Sequence, residues 1–402
     1  MRTISIVLFM IIGFNAFSQE KLKSEAEMPI VAYAYIPETE TSVERFLELK
    51  EAGINISLNV YSSIDAMEKA LNTAQKVGIK MITGCPELKT ETEKTVRRMM
   101  KHPALAAYYL ADEPVEKDFA GLGEWMKKVQ AIDSKHDCYI NLLPNWAGAL
   151  EGKSYRKYVE SFIEQVPVPI LSFDTYPIRE LADGRIVVME DYWYENLEVI
   201  RDIAQKANLP IWEFAMSVVH LHRDYLYPVP TIAQLRLQMF SNLAYGAQTL
   251  QYFSYWTLNS REFYQGAITI DGKRTDIYDR IKAVNLEIQN LSGVFVNAKV
   301  VSVEHTGAWI PKGVRRLRKL PEPIKLLETN GGGAIVSVLE KKNSQFLVIV
   351  NRDLKNPLKL TVNADDLVKR VLKDGTLVPA NAYTHTIEVD PGDVAIFTWA
   401  LH

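Results

Sequence analysis

The chain has 402 residues, 48% of them hydrophobic, and a formal net charge of -3. That length suits one large domain with a small one, and the charge argues against nucleic acid: the one basic cluster, residues 315–319, is short and reads as solvated loop. Cys85 and Cys138 fall near opposite ends of two expected strands, beyond disulfide reach, and read as free and buried.

The chain begins with Arg2, an apolar run over 4–14 and Ala16-Phe17-Ser18, which predicts a signal peptide over 1–18 and export to the periplasm or the medium. No cysteine follows the run, so a lipid-modified signal is not expected. No later stretch approaches the roughly 18 apolar residues of a membrane span.

From residue 29 to about 291 short β-rich apolar runs alternate with stretches of helical period. The runs are 30–36, 55–61, 80–86, 106–111, 139–144, 170–176, 210–216 and 249–256. Between them lie amphipathic stretches at 42–52, 64–77, 91–101, 122–134, 155–165, 194–207 and 231–246, and a last one at 276–291. Eight βα units in this length predict an α/β fold of the (β/α)8 (TIM barrel) type over 19–296. A doubly wound open sheet would carry a glycine-rich turn after its first strand, and Tyr35-Ile36-Pro37-Glu38-Thr39 has no glycine. After about residue 297 short alternating runs separated by turns such as Asn330-Gly331-Gly332-Gly333 and Pro391-Gly392-Asp393 predict a small C-terminal β-sandwich over 297–402.

In a barrel the C-terminal strand ends form one face, and catalytic groups come from several of them. The fourth end offers Asp112-Glu113-Pro114, the fifth leads to Asn145-Trp146, the sixth gives Asp174-Thr175-Tyr176, the seventh Glu213-Phe214 and the eighth Tyr255-Trp256. Carboxylates at the fourth and seventh ends are expected to face each other at roughly 5 to 5.5 Å, the spacing for retaining cleavage of a glycosidic bond. Glu113 is then the acid/base and Glu213 the nucleophile. Asp112, Asn145, Trp146, Asp174, Tyr176, His220 and Trp256 are the expected carbohydrate contacts, with Trp256 as a stacking floor. Each has a plainer reading: Glu113-Pro114 suits a helix start, strand-end aspartates often cap loops, and tryptophans are more often core. His220 and His222 read as pocket lining; no metal and no organic cofactor is expected, since a metal-dependent barrel hydrolase would place His-x-His on the first strand, where Ala32-Tyr33-Ala34-Tyr35 stands.

These residues resemble the clan A glycoside hydrolases, which include the family 42 β-galactosidases. The resemblance spans residues 29–291 and rests on Glu113, Tyr176 in Asp-Thr-Tyr-Pro, Glu213 in Trp-Glu-Phe, and Trp256. It implies a retaining, cofactor-free glycosidase that works by double displacement on an oligo- or polysaccharide. The clan usually has asparagine just before the acid/base, where this chain has Asp112, a group that accepts but, when ionised, does not donate a hydrogen bond. The alternative is a catalytically silent glycan-binding protein on the same barrel.

Overall fold

Eight apolar runs pair side by side, all parallel, and close on themselves in the computed structural model, which describes residues 20–33, 36–381 and 386–401. The expected signal peptide over 1–18 lies outside the described residues. In chain order the barrel strands are Ile30–Tyr33, Ile56–Val60, Lys80–Gly84, Leu105–Asp112, Asp137–Leu142, Leu171–Phe173, Ile211–Met216 and Ala247–Phe253; the last pairs with the first. All eight fall on the predicted runs, and the open-sheet alternative is excluded by closure.

The barrel strands are buried on both faces, as strands walled by helices must be. Inward residues such as Val31, Leu58, Ile82, Ala107 and Tyr139 fill the barrel. Outward neighbours such as Ile30, Ala32, Met81, Cys138 and Phe173 pack under the helices. Cys85 and Cys138 are free and buried, and burial pushes their thiols up to about 11 and about 12, far from reactive thiolates. No helix among the described residues is long and apolar enough to cross a membrane.

The helices start where side chains satisfy their first N–H groups. Ser42 and Ser63 cap Val43–Glu51 and Ile64–Val77, and Thr231 with Gln234 forms a reciprocal capping box on Ile232–Ala244. Thr231→Ala removes one half of that box and is expected to cost about 1 kcal/mol of stability, read as a lower urea midpoint at unchanged slope.

Beyond the barrel a six-stranded antiparallel sheet lies over a three-stranded one. One face of the larger sheet, with Val336, Val338, Leu347 and Ile349, packs on Leu358, Leu360 and Val362 of the smaller. The other face, with Ile335, Leu339, Val348 and Ile396, joins the barrel's own core. Double burial explains why Ala334–Lys341, Ser344–Asn351 and Val394–Ala400 read as nearly continuous apolar runs. The sheet seats on helix Ile232–Ala244, where Ser337 Oγ donates to the Ala244 carbonyl at 2.7 Å. At Gly392 (φ +69) a Cβ would sit 2.1 Å from the Ala233 carbonyl, so only glycine permits this approach.

The sequence reading missed a four-stranded sheet beside the barrel mouth. It runs His220–Leu221, Leu226–Tyr227, Ile178–Glu180, Ile186–Val188, built from the segments that follow the sixth and seventh barrel strands.

Candidate active site

The floor of the mouth is set by hydrogen bonds that start inside the barrel. Tyr139 donates to Gln251 Oε1 at 2.9 Å, Gln251 Nε2 donates to Ser172 Oγ at 2.9 Å, and Ser172 Oγ donates to Asn141 Oδ1 at 2.9 Å. With its oxygen so engaged, Asn141 turns its amide NH2 upward, donating to Asp174 Oδ1 at 2.8 Å and Asp112 Oδ1 at 3.2 Å. Tyr33 donates to the other oxygen of Asp112 at 2.8 Å. Four inward positions on the first, fourth, fifth and sixth strand ends thus hold two carboxylates side by side.

Glu113 stands next to them in an unusual backbone state. Its φ is +47°, sparsely populated for a residue with a side chain, and its N–H is tied to the Asn141 carbonyl at 2.8 Å. Such strain costs on the order of 1–3 kcal/mol and clusters at functional sites. The Glu113 and Asp174 carboxyls are near enough to act on each other electrostatically. Burial first, and the Asp112 charge second, push Glu113 up to about 7. Burial, with Glu113 and Asp112 beside it, pushes Asp174 well above the carboxylate range, so it keeps its proton at neutral pH. Asp112 is also raised, by burial, against the pull of Tyr33 and Asn141. Asp112 and Glu113 nevertheless remain open to solvent at the mouth.

Beside these acids the mouth is aromatic. Tyr33 meets Phe214 edge-on at 5.4 Å and Phe253 at 5.8 Å, and Tyr176 lies 6.4 Å from Phe214 and 5.9 Å from Phe253. Tyr176 is half-buried, its hydroxyl makes no hydrogen bond among the described residues, and burial and the nearby carboxylates keep it protonated. A cleft of about 760 Å³ opens beside Asp112 and Glu113 and runs over the second to fourth strand ends to Tyr61, Lys89, Lys117 and Trp125. That volume lies within the usual range for small-molecule sites.

Asp112, Glu113, Asp174 and Tyr176 are therefore brought together, as the strand-end argument expected. Glu213 is not, and this corrects the expected pair of facing glutamates. Its neighbours Trp212 and Phe214 point into the barrel, Trp212 against Tyr139 at 5.9 Å and Phe214 against Tyr33. Strand alternation then turns Glu213 outward, in register with Phe173 and Leu250, both of which face the helices. Glu213 is 0% exposed and lies near Trp193 of helix Glu190–Ala207. The Trp193 indole eases its charge from a distance, yet among the described residues neither carboxylate oxygen finds a donor in hydrogen-bonding geometry, and burial pushes Glu213 well above its ordinary value.

Four expected contacts stand elsewhere. Trp256 is 3% exposed and belongs to the core, with the Arg45 guanidinium 5.0 Å from its ring centre, so it offers no floor. Asn145 ties its loop to helix Glu190–Ala207: its N–H donates to Asn196 Oδ1 at 2.7 Å and its amide to the Tyr192 carbonyl at 2.9 Å. Trp146 is covered by Arg179 at 5.2 Å, which also lies over Tyr225 at 4.0 Å. His220 stacks between Phe263 and Tyr227 at 4.3 and 5.6 Å in the four-stranded sheet, and burial lowers its pKa. It is one ring removed from the mouth, since Phe263 in turn meets Phe253. Among the described residues no three His, Cys, Asp or Glu side chains are arranged to hold a metal.

Tyr33, Asn141 and Phe253 were missed. Asn141 had a visible signal, a lone amide inside the apolar run Cys138-Tyr139-Ile140-Asn141-Leu142-Leu143.

The sequence matches no protein-family model and no curated protein. Among solved structures the chain is similar to the β-galactosidase of Bacillus circulans sp. alkalophilus, at 9% identity and TM-score 0.62 over 93% of this chain and 99% of that one. It is similar also to a catalytic mutant of a GH42 β-galactosidase from G. stearothermophilus, at 8% identity and TM-score 0.60 over 95% and 99%. It spans 60% of the length of a β-galactosidase from the psychrophilic Marinomonas ef1, which covers 66% of this chain at 12% identity and TM-score 0.47. At these identities the first two likenesses establish the shared fold: a (β/α)8 barrel followed by β-sheets.

Proposed function

We propose that the protein is a glycoside hydrolase whose general acid/base is Glu113. The observation that supports this best is the placement of Glu113: at the fourth strand end, on strained backbone, poised near pH 7 beside two further carboxylates, and bordering a cleft of sugar-binding size. The glycosidases among its structural likenesses agree with that chemistry. A scissile glycosidic oxygen above Glu113 takes its proton as the bond to the anomeric carbon breaks, and Glu113 then removes a proton from the incoming water. Trp125, partly open on the cleft wall, offers a face to the sugar or aglycone lying there.

The test is turnover on a panel of aryl glycosides and oligosaccharides, with released sugar followed by NMR. Release that depends on Glu113 supports the hydrolase. Saturable glycan binding with no release from any substrate replaces it by the silent binder.

A further inference from the structure

Glu113 has an acid's surroundings, but none of the carboxylates at the fourth, sixth and seventh strand ends stands across the mouth from it. The inward residues of the seventh strand are Trp212, Phe214 and the sulfur-bearing Met216, none of which forms a glycosyl ester. Glu213 lies behind the strand wall. Asp174 shares the Asn141 amide with Asp112, the residue next to Glu113, so it stands on the same side of the mouth rather than across the roughly 5 to 5.5 Å gap of a retaining pair or the roughly 6.5 to 9.5 Å gap of an inverting one. Asp112 is adjacent to Glu113 in the chain and is tethered by Tyr33 and Asn141 on the same side of the mouth. A carboxylate in that place is poorly sited to attack the face of the anomeric carbon opposite the leaving group, but well sited to accept from a substituent on the neighbouring sugar carbon.

We propose that the nucleophile is supplied by the substrate and that the substrate class is a 1,2-trans 2-acetamido-2-deoxyglycoside; this rests on the hydrolase reading above. The acetamido carbonyl oxygen bonds to the anomeric carbon as the glycosidic C–O bond breaks and the departing oxygen takes the Glu113 proton. The product is a bicyclic oxazolinium whose positive charge is shared by its N–H. Asp112 accepts that N–H with a lone pair left free by Tyr33 and Asn141. Water then bonds to the anomeric carbon, its proton passes to Glu113, and the ring C–O bond breaks to restore the acetamide with retained configuration. The partly open rings of Tyr33, Tyr176 and Phe253 give the acetamido methyl an apolar seat.

The experiment compares aryl 2-acetamido-2-deoxyglycosides with the matching 2-hydroxy glycosides, and then grades the amide from acetyl to trifluoroacetyl to weaken its oxygen. The expected result is selective cleavage of the acetamido substrates, with kcat/KM falling about 100-fold across the fluorinated series, equivalent to about 2.7 kcal/mol of barrier. Asp112→Asn is expected to lose about 10²–10³-fold on the acetamido substrate. A fused thiazoline that copies the oxazolinium is expected to bind the wild type in calorimetry, which reads the site even for a variant with no turnover. Glu113-dependent cleavage of 2-hydroxy glycosides with equal efficiency, or a flat fluorine series, overturns this proposal and leaves the hydrolase reading standing. No cleavage of either substrate type overturns both.

Discussion

Glu113→Gln is expected to lower kcat/KM by about 10²–10⁴-fold on substrates with alcohol leaving groups, and by much less on activated aryl glycosides whose departing oxygen needs no proton. The magnitude follows from what the site does to one carboxyl group. An unperturbed glutamic acid has a pKa of about 4.3 and is protonated in only about one molecule in 500 at pH 7. Burial and Asp112 push Glu113 up to about 7, so a large share carries the proton where it is needed. The sign of the pH dependence follows: the acid must be protonated, so wild-type kcat/KM is high below about pH 7 and falls as pH rises through it. Glu113→Gln is expected to erase that limb as well as the rate. Asp112→Asn, by removing the second cause of the shift, is expected to move the limb toward lower pH. Initial rates between about pH 5 and 9, with circular dichroism to establish folding, check all three. A wild-type limb that persists in Glu113→Gln would mean that another group supplies the proton.

Most of the architecture was legible because a parallel barrel writes itself plainly. Its strands are short runs buried on both faces, and its helices carry one apolar stripe each, so the two periods alternate along the chain. That double burial is also why the seventh strand misled. In Ile211-Trp212-Glu213-Phe214 either face is apolar, and alternation alone says that Glu213 opposes Trp212 and Phe214, without saying which set looks inward. The aromatic pair occupies the barrel because Tyr139 and Tyr33 offer rings to meet it, partners that lie on the fifth and first strands. Tyr33 and Asp112 are likewise 79 residues apart, joined only by closure of the ring. The sheet beside the mouth escaped for another reason: strands of two or three residues, such as His220–Leu221 and Ile178–Glu180, are too short for alternation to register. Trp256 escaped because a strand-end position does not say which way the chain turns afterwards, and here it folds back over Arg45.

Glu213→Gln is expected to keep activity and to stabilise the protein, the reverse of what an active-site nucleophile would do. Both carboxylate oxygens are buried without a hydrogen-bonding partner among the described residues, and burial raises the group well above its unfolded value of about 4.3. The folded state therefore binds a proton that the unfolded state releases, and stability falls as pH climbs from about 4.3 toward the folded pKa. Glutamine has nearly the same shape, carries no charge at any pH and still presents an oxygen toward the Trp193 indole N–H. The gain is expected to be near zero at about pH 4 and to grow by up to about 1.4 kcal/mol per pH unit above the unfolded pKa, until the pH passes the folded one. Urea unfolding of wild type and variant at about pH 4 and at about pH 8 measures it, with kcat/KM on the same samples. Loss of activity at unchanged stability would put Glu213 back among the reacting groups; a pH-dependent gain at unchanged activity assigns it to the layer between strand and helix, and leaves the mouth to Asp112, Glu113 and Asp174.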